Sequence, residues 1–152
     1  MEVRLNDSTA DRECVHSRHV DAPPDQVFGA FAAPERLARW WGPNGFSSTI
    51  EIFEFRPGGR WEFVMHGPDG ADYANQCILR EVVPAERLVI DHLGDFHHFV
   101  LTITLDACDG GTQVGWRQVF DTPEHRDEIA SFVQPANEQN LDRLAAEVRR
   151  IA

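Results

Sequence analysis

The sequence predicts an α+β protein in which a seven-stranded antiparallel sheet wraps around a long C-terminal helix, with two short helices between the first and second strands. Residues 47–121 form six successive segments of alternating apolar and polar residues, and residues 136–151 carry an apolar stripe at helical spacing. Strands joined by short turns are antiparallel neighbours, and the apolar face of their sheet must be covered, so the helix is expected to lie on the sheet. The length suits one domain, residues 1–152, with residues 1–12 as a flexible tail.

The N-terminal part predicts one strand and two helices. The strand is expected at Glu13–Val20, where the side chains alternate in character. The sequence Asp21-Ala22-Pro23-Pro24 predicts the start of the first helix, because proline is favoured in the first turn, and Pro34 interrupts that helix. The second helix covers Pro34–Trp41, and residues 42–45, rich in glycine and proline, form a loop.

Six further strands are predicted to form a meander. The sequences between them, such as Pro-Gly-Gly at 57–59 and Asp-Gly-Gly at 109–111, are typical of turns. One face of this sheet is apolar and aromatic, so another element must cover it. The predicted strands are Thr49–Phe55, Arg60–His66, Ala71–Val83, Arg87–His92, His97–Leu105 and Thr112–Phe120.

The C-terminal segment is predicted to be the covering helix. Thr122, Pro123 and Glu124 combine a capping residue, a first-turn proline and a first-turn acid. Pro135 is expected to break or kink this helix because it has no N–H to donate. Asn137 and Asn140 extend the apolar stripe backwards, and the stripe itself consists of Leu141, Leu144, Ala145, Val148 and Ile151.

Composition and charge exclude several classes of function. A formal net charge of −11 opposes binding to a phosphate backbone or an anionic membrane surface. No apolar segment approaches the roughly 20 residues of a membrane span, and residues 1–12 do not form a secretory signal, so a cytoplasmic location is expected. The exposed edges of a meander favour a homodimer.

The adjacent residues Trp40 and Trp41 cannot both face one side of a helix, so one ring is expected to pack inward while the other covers an opening or a neighbouring loop. Inward-facing aromatic residues also exceed what one small sheet needs, which favours an internal cavity. Tyr73 and Gln118 are candidate polar anchors for a ligand, although cross-strand or loop hydrogen bonds explain them equally well. The predicted ligand-binding residues are Trp41, Phe46, Trp61, Phe63, Met65, Tyr73, His92, Trp116, Gln118, Phe120, Phe132, Asn137 and Leu141.

A set of short sequences carries a resemblance to a known family. They are Ala22-Pro23 with Val27-Phe28, Pro34-Glu35 with Leu37, Trp40-Trp41-Gly42-Pro43, Phe55-Arg56-Pro57-Gly58-Gly59-Arg60-Trp61, Gly67-Pro68-Asp69-Gly70, Glu81-Val82 with Pro84, Arg87-Leu88 and Gly111-Thr112. In these the chain resembles the START-like, Bet v 1-like helix-grip superfamily (SRPBCC), in the branch related to the activator of the heat-shock-90 ATPase. The resemblance covers most of residues 14–150. It implies a deep cavity between the sheet and the C-terminal helix that takes a hydrophobic or amphipathic small molecule.

One departure from that branch falls in the C-terminal helix. The branch usually has Gly-Trp before the Leu-x-x-Leu pair, whereas this chain has Ala136 and Asn137. Replacing an indole by a short amide is expected to enlarge the cavity and to place a polar group at its lid. A ligand inferred from relatives therefore does not transfer directly to this chain.

Two groups of histidines are candidates for metal binding or for acid–base catalysis. The first group consists of residue types that ligate zinc or iron, namely Asp91, His92, Asp95, His97 and His98. Neighbouring residues of a strand, however, point to opposite faces. The interpretation as ordinary rim residues is therefore preferred, and no metal is expected. The second group, His66 with His92, could reach the cavity from strand ends and act as a general base. A surface or hydrogen-bonded role is the preferred interpretation for that group too.

Three classes of function remain. Binding of a small hydrophobic or aromatic ligand in the cavity, without a cofactor, is preferred. The alternative is a cofactor-free enzyme, such as a cyclase, dehydratase or hydrolase of a polyketide-like substrate, which needs a tuned acid or base inside the cavity. No residue is assigned as catalytic. A co-chaperone-like interaction protein, acting through its outer surface and associated with stress response, ranks third.

Overall fold

The structure is a computed structural model that describes residues 9–94 and 97–151. Seven antiparallel strands form one sheet in the order β1-β7-β6-β5-β4-β3-β2, so β1 and β2 are its edges. The predicted α+β class and the predicted topology are confirmed. The strands are β1 Glu13–Val20, β2 Ser47–Phe53, β3 Gly59–His66, β4 Asp72–Val83, β5 Arg87–Leu93, β6 Phe99–Cys108 and β7 Gly111–Phe120.

Two short helices connect β1 to β2. The first, α1, is Pro24–Ala32, and the second, α2, is Pro34–Trp40. Each begins with proline, whose fixed φ suits the first helical position and whose missing N–H costs nothing there. The indole N–H of Trp40 donates to the carbonyl oxygen of Ala30 at 2.9 Å, which ties the end of α2 to α1.

The long helix α3 covers Pro123–Ile151 without interruption. Of the break or kink predicted at Pro135, the break is therefore wrong, and the kink stays a prediction. Proline removes one hydrogen bond, the bond to the carbonyl of residue 131, but Pro135 and Ser131 are both exposed, so water can solvate that carbonyl. The predicted stripe faces the core: Leu141, Leu144, Ala145 and Val148 are buried, and the side chain of Ile151 lies outside the described part.

Charged contacts hold α3 across the edge of the sheet. Arg18 of β1 donates to Glu138 at 2.9 Å and to Asp142 at 2.5 Å, and Nδ1 of His16 lies 2.6 Å from Glu138. The N-terminal tail predicted at residues 1–12 lies mostly outside the described residues. Its last part forms a short 3-10 helix, Ala10–Arg12. No helix in the described ranges is long and apolar enough to span a membrane.

Candidate functional site

A cavity of about 630 Å³ lies between the sheet and α3. Its walls come from β3 to β7, from α3, and from the connections around residues 41–46 and 67–69. Side chains on one face of a sheet recur at every second residue, and α3 turns its buried stripe toward them. The alternation recognised in the sequence therefore builds the two walls.

Aromatic rings form the wall on the β3 side of the cavity. Trp41, at the end of α2, lines it, and its ring meets that of Trp61 at 4.9 Å and that of Trp116 at 5.7 Å between centroids. Trp40 is 1% exposed and packs against Phe31 at 4.9 Å. One of the adjacent tryptophans thus packs inward, and the other, 9% exposed, lines the cavity. That Trp41 covers an opening or a neighbouring loop stays a prediction.

Exposed rings mark the rim of the cavity. Tyr73 is 47% exposed and Phe132 is 65% exposed, and both belong to the lining. Phe46 lies 6.3 Å from Tyr73 between ring centroids. Tyr73 is therefore a rim residue, in contrast to the inward anchor that the sequence suggested.

An amide pair joins the sheet to α3 inside the cavity. Asn137 Nδ2 donates to Gln118 Oε1 at 3.0 Å, and both residues are buried, at 8% and 6% exposure. The pair links β7 to the helix. The polar group expected at the lid from Asn137 is thus present and has a partner.

Imidazoles occupy another part of the lining. The ring of His92 stacks on Phe99 at 4.5 Å, with Nε2 2.7 Å from Asn75 Oδ1 and Nδ1 3.1 Å from the carbonyl oxygen of His97. Desolvation lowers the pKa of His92, so the ring is neutral at pH 7 and can donate to only one of these oxygens at a time. Desolvation, with His92 and His125 nearby, lowers the pKa of His97 to about 4.

His98 lies outside the cavity lining. Its Nδ1 is 2.7 Å from Asp121 and its Nε2 is 2.7 Å from Asp91, which also accepts from Arg80 at 2.7 Å. The bond to Asp121 raises the pKa of His98; burial opposes this, and the bond to Asp91 adds to it. β6 begins at Phe99, after both histidines, so strand alternation is not what separates His97 from His98; their different partners are.

The metal cluster considered in the sequence is only partly within the structure. Among residues 9–94 and 97–151, no group of three or more His, Cys, Asp or Glu side chains is arranged to hold a metal ion. Asp95 lies outside these residues. The other histidine considered, His66, does not line the cavity: it lies 2.8 Å from both Asp72 and Thr49.

Most of the predicted ligand-binding residues line the cavity, and three do not. Trp61, Phe120 and Leu141 are at most 2% exposed and belong to the core. Trp61 lies behind the lining residue Phe63, with its ring stacked at 4.4 Å. Alternation predicts which face a side chain is on but not its depth below the cavity surface. Those that do line it are Trp41, Phe46, Phe63, Met65, Tyr73, His92, Trp116, Gln118, Phe132 and Asn137.

Several lining residues were not among the predicted ones. Leu101 and Asn140 could have been found, because the first alternates inward on its strand and the second extends the helical stripe. Asn75 offered no signal, since a polar residue in a strand is usually on the solvent face. The residues missed are Gly42, Pro43, Pro68, Asp69, Asn75, His97, Phe99, Leu101, Val133, Ala136 and Asn140.

One antiparallel sheet around one long helix, with an apolar cavity between them, defines a helix-grip protein. The chain belongs to the family described as activator of Hsp90 ATPase homolog 1-like protein, whose family model matches residues 21–149. The resemblance inferred from the sequence is confirmed. Proteins of this fold generally bind hydrophobic ligands.

Solved structures share the fold over nearly the whole chain. A protein from Nitrosomonas europaea matches with a TM-score of 0.85 at 20% identity, covering 94% of this chain and 97% of its own. A protein from Rhodobacter sphaeroides matches with a TM-score of 0.83 at 25% identity, covering 94% and 95%. The AHSA1 protein from Silicibacter pomeroyi matches with a TM-score of 0.75 at 19% identity, covering 92% and 99%. No sequence among the curated proteins matches the chain.

Proposed function

We propose that the protein binds a small hydrophobic or aromatic molecule in the cavity between the sheet and α3. The observation that carries this proposal is the cavity itself. Its volume of about 630 Å³ falls within the range of small-molecule sites, which are mostly apolar with a few placed polar groups. Trp41, Phe63 and Leu101 supply apolar wall, and Gln118 and Asn137 supply polar groups.

Filling the cavity from α3 tests the proposal. Ala136 lines the cavity and has a small side chain, whereas Ser131, on the same helix, is exposed and outside the lining. Both Ala136→Trp and Ser131→Trp add one indole, so the two variants have the same number of tryptophans. N-phenyl-1-naphthylamine, a neutral dye whose emission rises in apolar surroundings, is the probe.

The dye is expected to bind the wild type saturably. Ala136→Trp is expected to weaken binding by about tenfold or more, a loss of roughly 1.4 kcal/mol, and Ser131→Trp to change it by less than about twofold. Equal affinity in the two variants, with both folded by circular dichroism, would place the dye elsewhere and contradict the proposal.

A cofactor-free enzyme is the second candidate, and the imidazoles of His92 and His97 in the lining are what favour it. A neutral imidazole can accept a proton from a bound substrate. A general base works best with a pKa near the working pH, and the pKa of His97 is about 4, so it is a weak base at pH 7. Hydrolysis of 4-nitrophenyl acetate by wild type and His97→Gln separates the candidates: saturable turnover that this substitution abolishes would favour the enzyme.

A further inference from the structure

The hydrogen-bonding capacity of the amide pair is only half used. Apart from their mutual bond, the side chains of Gln118 and Asn137 have no hydrogen-bond partner within the described residues. As placed, the pair leaves the Gln118 amide N–H₂ and the Asn137 carbonyl oxygen unpaired. If the oxygen and nitrogen positions of both amides are exchanged, one amide oxygen and one amide N–H₂ group are still without a partner. At least one donor and one acceptor of the pair are therefore available in either case.

The charges around the cavity exclude an ionised ligand group at this position. No arginine of residues 9–94 and 97–151 belongs to the lining, and Arg143, behind the 41–43 connection, donates to the carbonyl oxygens of Gly42 and Pro43. Among the described lining residues, the acid Asp69 lies at the exposed rim, so a carboxylate or ammonium buried at the amide pair would lack a counter-charge from them, and that is strongly unfavourable.

We infer that the ligand is a neutral aromatic or alicyclic molecule carrying one oxygen group, such as a phenol, a ketone or a carboxamide, and that this group binds between Gln118 and Asn137. The inference rests on the proposed ligand-binding function and specifies its ligand class. A hydroxyl both donates and accepts, which matches what the pair leaves open. The rest of the molecule lies against Phe63 and Leu101.

Three probes of one shape test the inference: naphthalene, 2-naphthol and 2-naphthoate at pH 7, each displacing N-phenyl-1-naphthylamine. A purely apolar cavity would prefer naphthalene, because the hydroxyl of naphthol is better solvated in water. We expect 2-naphthol to bind at least about tenfold more tightly than naphthalene, and 2-naphthoate to bind most weakly.

The test variant is Gln118→Leu/Asn137→Leu, in which both members of the pair become apolar and neither amide is left alone. It is expected to bind naphthalene as well as the wild type does, and to reduce the advantage of 2-naphthol to about twofold or less. The control is Gln26→Leu, which makes the same kind of amide-to-leucine change at an exposed position of α1 outside the lining. It is expected to retain the preference for 2-naphthol.

Each outcome of these binding measurements either supports or overturns the inference. Saturable binding without a preference for 2-naphthol, a preference that survives in the double variant, or one that Gln26→Leu abolishes would overturn the inference and leave the proposed function standing. Failure of every probe to bind the wild type would remove the proposed function and the inference with it.

Discussion

Trp40 and Trp41 are consecutive residues whose rings meet edge to face, with 5.5 Å between their centroids, yet only Trp41 borders the cavity. Trp40 is enclosed by α1 and donates its N–H to Ala30. At the end of α2, the Trp40 ring therefore packs in the core and the Trp41 ring lines the cavity. This division makes the two positions separable by mutation.

Substitution of these two tryptophans by phenylalanine is expected to separate stability from binding. Trp40→Phe removes buried volume and leaves the carbonyl of Ala30 without its donor, so it should lower the free energy of unfolding by about 2–3 kcal/mol with little change in dye affinity. Trp41→Phe should weaken dye binding more and cost less stability. Urea denaturation and dye titration of both variants check this, and a larger loss of affinity in Trp40→Phe would contradict it.

The amide pair predicts a non-additive effect on stability. Asn137→Leu alone leaves Gln118 buried without its partner and should cost about 1–3 kcal/mol, whereas Gln118→Leu/Asn137→Leu should be closer to the wild type than that single variant. A double-mutant cycle by urea denaturation measures the coupling. Additive losses would show that the bond between the two amides contributes nothing to stability.

A buried carboxylate at the C-terminal end of α3 predicts sensitivity to acid. Burial alone would raise the pKa of Glu147, but hydrogen bonds from Arg150, Arg39 and Arg36 outweigh it and lower the pKa from 4.5 to about 2. Because the folded pKa is depressed, the stabilisation is present above about pH 4.5 and is lost as the pH falls toward 2.

Glu147→Gln should therefore lower the free energy of unfolding at pH 7 by about 2 kcal/mol, and the gap to the wild type should close below pH 4.5. Denaturant titrations at pH 7, 4 and 3 measure this. Glu51→Gln, at an exposed position of β2, is the matched control and should change stability by less than about 0.5 kcal/mol. A constant gap at all three pH values would refute the assignment.

The neighbours His97 and His98 are expected to titrate in different pH ranges. The pKa of His97 is about 4, because desolvation disfavours its charged form, whereas hydrogen bonds to Asp121 and Asp91 raise that of His98 above 6.5. Ring resonances followed by NMR between pH 5 and 9 should show a midpoint for His98 and none for His97, with His98→Gln as the assignment control. Stabilisation by His98 is present below pH 6.5 and is lost as the pH rises through its folded pKa.

Much of the fold followed from the sequence because its signals are local. Alternation, turn residues and the spacing of Leu141, Leu144 and Val148 depend on neighbours in the chain, and β1 was predicted with the bounds that the structure has. The break at Pro135 was wrong because the cost of a missing hydrogen bond depends on exposure, which the sequence does not show.

The site was less predictable because it depends on contacts between distant residues. The bond between Gln118 and Asn137 joins β7 to α3, and His92 meets Asn75 across the sheet. Trp61 shows the same limit, since its inward face was correct and its depth was not. Local patterns identify the wall but not which polar groups meet there.

The bond across the cavity also constrains how this protein can change during evolution. A substitution at position 137 or at position 118 alone leaves the other buried amide without its hydrogen-bond partner. Replacement of both amides by apolar residues, one at a time, therefore passes through a less stable intermediate. Two such positions are epistatic, and selection is expected to fix their replacements together. Homologues with an aliphatic or aromatic residue at one position should carry a non-amide residue at the other, and those pairs of sequences should have diverged in what they bind.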